Sequence, residues 1–306
     1  MNSKKVNRLF LSVVILHFML VALLIVGSPF FSLGILENLL VSQLILLIPA
    51  VISLLGKKDG FTQKTLGFKK IKISTIFLVA LYTLLCMPLV TVVNAISMLF
   101  VENTVVSISG EILQMPFIVM FLMMAVLGPF SEEFVFRGIM FHGYRQDGNV
   151  LGAVLLSALT FGFMHMNFNQ AGYAFVIGIA LAFLGVATGS LWAPMIMHFM
   201  INAQSVILMY MSEFLLPGGY AKEAEAVTRD GLLVTIGIYS IIAAITTTLA
   251  ICLLIYIADR EGQKEELKHL WEKPENAKRR ITPALVVALS ITFAYMVLDA
   301  VAATLQ

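Results

Sequence analysis

Long apolar runs separated by short polar connections dominate the pattern of this 306-residue chain. The runs lie near 9–26, 38–55, 74–100, 113–136, 151–166, 171–188, 191–211, 231–257 and 282–303, nine in all. Most approach the roughly 20 residues that a helix needs to cross the hydrocarbon of a bilayer. In lipid each run must satisfy its own backbone hydrogen bonds, which runs of this length do as helices and not as strands. The expected fold is therefore all-α, a polytopic transmembrane helical bundle of about eight or nine spans. No internal repeat, low-complexity tract or second soluble segment breaks the pattern, so residues 1–306 read as a single membrane domain.

Composition strengthens this picture. Hydrophobic residues make up 59% of the chain and charged residues only 12%, against about 25% charged in an ordinary soluble domain. A surface so poor in charge faces something other than water, and membrane lipid is the expected partner. The net charge of +2 gives no footprint for nucleic acid. Its distribution is more informative, because 18 of the 20 Lys and Arg residues fall before the first run, between Lys57 and Lys72, at Arg137 and Arg145, or between Arg260 and Arg280. Basic residues mark cytoplasmic connections. The pattern predicts a multi-pass cell-membrane protein with its N-terminus in the cytoplasm and its C-terminus outside. An eight-span version, with the first or last run lying at the interface, is the alternative.

The first run follows Lys4, Lys5 and Arg8, as a signal peptide would, but it lacks a clear A-x-A cleavage site and is read as a span. The segment Asp259 to Arg280 mixes both charges with Leu267, Leu270 and Trp271 at near-helical spacing. It is expected to extend the eighth helix along the inner surface or to form a solvated tether. Cys86 and Cys252 sit in separate apolar runs without ligand spacing and read as packing residues.

Four polar stretches interrupt spans four to seven: Ser131 to Arg137, Phe161 to His165, Asn167 to Gln170, and His198 to Asn202. An ionisable group near a helix centre costs roughly 2.5 to 3.5 kcal/mol, so a pair of glutamates there calls for a purpose. Glu133 and Arg137 stand at i,i+4 and can pair, leaving Glu132 about 100° away for another task. His198 and Asn202 share one face by the same spacing, as do Phe161 and His165. Treating spans four and five as a hairpin that turns at Gln146 to Asn149 places Glu132 and His165 at similar depth, roughly 20 Å from the turn. Asn202 reaches a similar depth, roughly 18 Å beyond the turn at Gly189 and Ser190. A carboxylate, two imidazoles and an amide in one hydrated cavity supply a base for water and donors for an oxyanion. Ser131 has no partner that would make it a nucleophile and reads as a helix polar contact. The zinc-protease signature H-E-x-x-H is absent.

Glu132-Glu133-x-x-x-Arg137, Phe161-x-x-x-His165 and His198-x-x-x-Asn202 resemble, in order and spacing, the three motifs of the CPBP intramembrane proteases. That family includes the CAAX prenyl endopeptidases and the bacterial Abi, or bacteriocin-processing, proteins. The match covers about 70 central residues, within a catalytic core of about 113–212. The resemblance implies that Glu132 and His165 activate water, that His198 and Asn202 stabilise the oxyanion, and that Glu133, Arg137 and Phe161 support them. It also allows a divalent metal such as zinc on Glu132, His165 and His198. No metal or other cofactor is favoured, since an Asn in the fourth place suits hydrogen bonding better than zinc. The implied substrate is a membrane-associated peptide or a lipidated or transmembrane protein.

Other readings remain at this stage. A non-catalytic scaffold or bacteriocin-immunity factor could keep the motif residues for shape, and a transporter could use Glu and His to relay protons. His17, Asn94 and Asp299 read as structural or interfacial, and Phe134 and Phe136, with Phe161, as cavity walls. His142 and Arg145 lie where they could guide a substrate, and access to the site is expected from the cytoplasmic side.

Overall fold

The computed structural model describes residues 1–55, 66–216, 218–220, 222, 226–273, 275 and 277–304. Nine helices of fifteen or more residues are found among the described residues, with no strand. They are α1 (Ser3–Gly27), α2 (Ile35–Leu54), α3 (Ile73–Met98), α4 (Phe117–Gln146), α5 (Val150–Met164), α6 (Phe168–Thr188), α7 (Trp192–Leu215), α8 (Arg229–Arg260) and α9 (Pro283–Thr304). Eight are long and apolar enough to cross a membrane, so the protein is an all-α polytopic bundle and a membrane protein. The exception is α5. Its 15 residues rise only about 22 Å, short of the roughly 30 Å of hydrocarbon. The short member is thus the fifth run, whereas the eight-span alternative had placed it first or last.

Local chemistry sets the helix ends. Side chains of Asn2, Asn149, Asn167 and Thr228 accept hydrogen bonds from backbone N–H groups in the first turns of α1, α5, α6 and α8, satisfying donors that a helix start leaves free. Gly189 ends α6 with φ of +60°, a left-handed conformation suited to a residue without a Cβ. Gly262, with φ of +71°, follows α8. The chain turns there and forms a single helical turn, Lys264–Lys268. The expected extension of α8 therefore does not occur. Instead Leu267 and Leu270 fold back against the core, while Trp271 stays exposed.

Hydrogen bonds gather the basic connections at one end of the bundle. Ser3 N donates to Asp147 Oδ2 at 2.6 Å, and Asn7 Nδ2 donates to Arg280 O at 2.7 Å. Arg280 Nη1 and Nη2 reach the backbone and side-chain oxygens of Asn149 at 2.9 Å each. Leu191 N donates to Gly67 O at 2.7 Å, Lys72 Nζ donates to Arg260 O, and Arg145 pairs with Glu266. Lys57, Lys58 and Lys64 lie outside the described residues. The start of α1, the end of α4 and the starts of α5 and α9 consequently share this basic end. The end of α9 lies at the other. Across the outer surface, large side chains such as Leu23, Ile25, Ile241 and Leu298 are more than half exposed, as expected of helices whose solvent is lipid.

Candidate active site

Helix α4 carries the two glutamates on irregular backbone. Residues Phe121–Leu127 and Phe134–Phe141 are wound as π-helix, with Gly128–Glu133 α-helical between them. Pro129 gives the first π segment its physical reason. A proline has no N–H and its ring crowds the preceding turn, and the wider i→i+5 winding relieves that crowding. Gly128 N–H donates to Met123 O in the π register. The next partner in that register would be Pro129, so Met124 O is left without a backbone donor. Asn202 Nδ2 fills the vacancy at 2.8 Å. One amide hydrogen is used there, and the second is left to point elsewhere.

Glu133 is fully buried between two partners. Arg137 Nη1 donates to its Oε1 at 2.9 Å, and His198 Nδ1 lies 2.9 Å from the same oxygen. Arg137 is further held by Gly178 O, at 3.0 Å from Nη2, and stacks over the Phe161 ring at 4.5 Å. Gly178 makes this possible, because a Cβ there would lie 3.0 Å from the Ala158 backbone and 3.1 Å from Arg137 Nη2. His198 reaches Glu132 through its other nitrogen, Nε2 to Oε2 at 3.8 Å. Glu132 is therefore not isolated from the buried pair, as its 100° offset suggests. It shares the His198 ring with Glu133, keeps 21% side-chain exposure and lines the cavity described below.

His165 caps the short helix α5. Its Nδ1 sits 3.0 Å from Phe161 O, and since a carbonyl only accepts, Nδ1 carries the hydrogen and Nε2 is left with its lone pair. Met166 follows with φ of +54°, a left-handed conformation uncommon outside glycine and often found where a site fixes the backbone. Asn167 closes the turn by donating to His165 O at 2.8 Å while accepting from Gln170 N at 2.8 Å. This break between α5 and α6 sits next to the end of α3: Thr104 Oγ1 donates to Asn167 Oδ1 at 3.0 Å, and Asn169 Nδ2 donates to Asn94 Oδ1 at 2.9 Å.

Glu132, Phe161, His165, His198 and Asn202 all line one cavity of about 370 Å³. The sequence-predicted site residues are thus brought together, with Glu133 and Arg137 directly behind them. Phe134 and Phe136 are buried in the core and are not cavity walls; Phe136 packs edge-on against Phe161, 5.3 Å between centroids. Ser131 donates to Leu127 O at 2.7 Å, a helix polar contact. Sequence reasoning missed the contribution of Pro129, the bond between Glu133 and His198, and Asn94, Asn103 and Gln170 as cavity walls. The Asn167 to Gln170 interruption was the available signal for the last of these.

The cavity runs away from the basic connections. From Glu132 and His198 it runs along Asn94, Ser205 and Met209 to Asn103 and Tyr220, which lie beyond the ends of α3 and α7 remote from the basic connections. A second cavity of about 210 Å³ opens at the basic end, lined by His142, Arg145 and Gln263, and reaches Arg137. The layer of Arg137, Glu133 and Phe161 stands between the two. His142 and Arg145 therefore do not border the cavity that holds Glu132. Basic residues report how a chain is oriented, but not where its helices part.

A zinc-like ion needs about four nitrogen, oxygen or sulfur donors in a tetrahedral shell. Glu132 carboxylate and the Nε2 atoms of His165 and His198 are suitable donors, and each imidazole is anchored at Nδ1, as metal-binding histidines generally are. Among the described residues no three His, Cys, Asp or Glu side chains are close enough to form a ligand shell as they stand. The chemistry of the donors fits such an ion, although the side chains do not form a shell for it as they stand.

Residues 114–204 match the family model described as type II CAAX prenyl endopeptidase Rce1-like. Over 89 residues the chain is 32% identical to a Bacillus subtilis (strain 168) protein named "Putative membrane peptidase YdiL", covering 29% of this chain and 36% of that protein. The chain therefore spans about a third of the length of the curated relative it matches. No solved structure matches.

Proposed function

Residues 114–204 belong to the CPBP family of intramembrane proteases, and from this premise we propose that the chain is an intramembrane endopeptidase with a catalytic core at about 113–212. The observation that carries the proposal is the convergence of Glu132, His165, His198 and Asn202 on one cavity. Glu132, the one carboxylate of the pair with exposure to that cavity, takes a proton from water. His165, with a free Nε2, orients the same water or relays its proton. The resulting hydroxide attacks the peptide carbonyl carbon. The developing oxyanion receives the second amide hydrogen of Asn202 and, when both ring nitrogens carry hydrogen, the Nε2–H of His198. Breaking the C–N bond returns the proton to the leaving amine through Glu132.

Glu133 and Arg137 act behind these groups. Glu133 fixes the His198 ring through Nδ1, and Arg137 offsets its buried charge. A membrane-associated peptide or a lipidated or transmembrane polypeptide is the substrate class we propose, with the basic end of the bundle cytoplasmic.

A divalent ion, if used, would be held by Glu132, His165 and His198 and would supply Lewis acidity. We favour metal-free chemistry because Asn202 and His198 already offer two donors at the cavity. Purified protein that keeps its activity in excess chelator supports that choice, and restoration of chelated protein by one equivalent of zinc would reverse it.

The deciding experiment compares membrane peptides from cells carrying the wild-type protein and cells carrying Glu132→Ala. Cleavage products that vanish with the variant, at equal protein level, support the protease. A break at Met166 within the bundle is also a feature of transporters. Proton flux in liposomes without Glu132-dependent cleavage would replace the protease reading with that one.

A further inference from the structure

We infer that the substrate is an extended polypeptide segment presented at the non-cytoplasmic face of the membrane, and not a cytoplasmic tail; the inference rests on the protease reading above. Three observations carry it. First, the cavity that holds Glu132 runs away from the basic connections and reaches Asn103 and Tyr220, outside the far ends of α3 and α7. Second, the polar route toward the basic end is closed at Arg137. The cavity on that side stops at Arg137, whose guanidinium is bonded to Glu133 and Gly178 and covered by the Phe161 ring. A peptide arriving through that cavity would have to displace a buried ion pair to reach Glu132. The apolar cavity of about 620 Å³ bordered by Lys264 and Lys268 touches none of Glu132, His165, His198 and Asn202 and shares only Val90 and Ile177 with the site's cavity. Third, the basic residues of the N-terminus, the α4–α5 turn and the α8–α9 connection belong to the basic end, which the positive-inside rule assigns to the cytoplasm.

The walls of the open path suit a peptide backbone. Thr91 and Asn94 on α3, Gln170 on α6 and Ser205 on α7 place hydroxyl and amide groups along it, and such groups can pair with peptide N–H and C=O in a setting otherwise poor in partners. From His198 to Met209 the path follows 11 residues of α7, roughly 16 Å at the helical rise. That length takes about five residues of extended chain. The scissile bond would lie deep in the membrane with the flanking segment leading outward, as for an exported peptide or the outer end of a membrane-inserted segment.

Site-directed labelling tests the direction without relying on activity. Single-cysteine variants Thr91→Cys, Ser205→Cys and Lys268→Cys are made in a Cys86→Ala, Cys252→Ala background, and a membrane-impermeant maleimide is applied to intact cells and to inside-out vesicles. Labelling of positions 91 and 205 in intact cells, with 268 labelled only in inside-out vesicles, supports the inference. Labelling of 91 and 205 only in inside-out vesicles, or from neither side, overturns it. Mapping of Glu132-dependent cleavage positions onto substrate topology completes the test: positions at the outer half of the bilayer support it, and positions at the cytoplasmic half overturn it. If no Glu132-dependent cleavage exists, the protease reading itself falls, while the labelling pattern still reports the direction of the cavity.

Discussion

Helices α1 and α9 run side by side as regular, largely apolar cylinders, whereas α4 and α5, which bring the glutamates and His165 to the site, are widened or cut short. At the periphery the buried Asn7 ties α1 to Arg280 O and Thr282 and receives the Tyr144 hydroxyl at 2.7 Å. Beyond it α1 and α9 meet through side chains such as Phe18 and Tyr295, 5.3 Å between ring centroids. In the centre, α4 carries two π segments, α5 stops after 15 residues, and Met166 adopts a left-handed backbone. The contrast teaches where irregular backbone is sustainable in a membrane. It survives where protein groups take up the freed donors and acceptors, as Asn202 does for Met124, and it is absent where only lipid would face them.

The comparison breaks first, if it is wrong, at Glu132. Glu132→Gln keeps the shape and removes the base, and turnover of a cleaved peptide should fall by about 10³ to 10⁴-fold with the protein still folded. A fall no larger than tenfold would remove Glu132 from the chemistry. Next comes the buried pair. Glu133→Gln or Arg137→Met alone should lower stability by about 3 to 5 kcal/mol, because each leaves a partner charged and unpaired in a dry interior. Thermal unfolding in detergent measures it, and the double variant should be less damaged than the sum of the two. Strictly additive losses would mean that the pair is not a unit. Asn202→Ala should reduce kcat by about 10² to 10³-fold with little change in KM, the signature of a donor used only in the transition state. An effect confined to KM would instead make Asn202 a substrate contact.

Much of the centre was legible because its logic is local. The i,i+4 spacings of Glu133 with Arg137 and of His198 with Asn202 fix which side chains share a helix face, and counting residues from the turns put Glu132 and His165 at like depth. What was not legible depends on neighbours. The run 151–166 is only 16 residues long, so its short length was legible, but the left-handed turn at Met166 that ends it was not. The bond from His198 to Glu133 needs the crossing of α7 over α4, which no spacing encodes. Pro129 stood in plain view, but its effect, a π segment that frees Met124 O for Asn202, appears only once α7 is in place. The direction of the cavity depends on where helices part, and charge counts carry no information about that.

The smallest expected effect separates the two regions by sign. Gly178 and Gly237 are both glycines inside long apolar helices, and a sequence reading treats them alike. A Cβ at Gly178 would press on Ala158, 3.0 Å away, and on Arg137 Nη2, while a Cβ at Gly237 meets nothing within 4 Å. Gly178→Ala must push α6 from α5 or move the guanidinium, and overpacking of this kind costs about 1 to 3 kcal/mol. Gly237→Ala adds a methyl group to open space on exposed α8 and removes backbone freedom from the unfolded chain, which should stabilise the protein by about 0.4 to 1 kcal/mol. Thermal unfolding of both variants in the same detergent is the measurement. Opposite signs sustain the division between a tightly fitted centre and a lipid-facing periphery; equal losses at the two positions would show that α8 is packed against a partner as closely as α6 is.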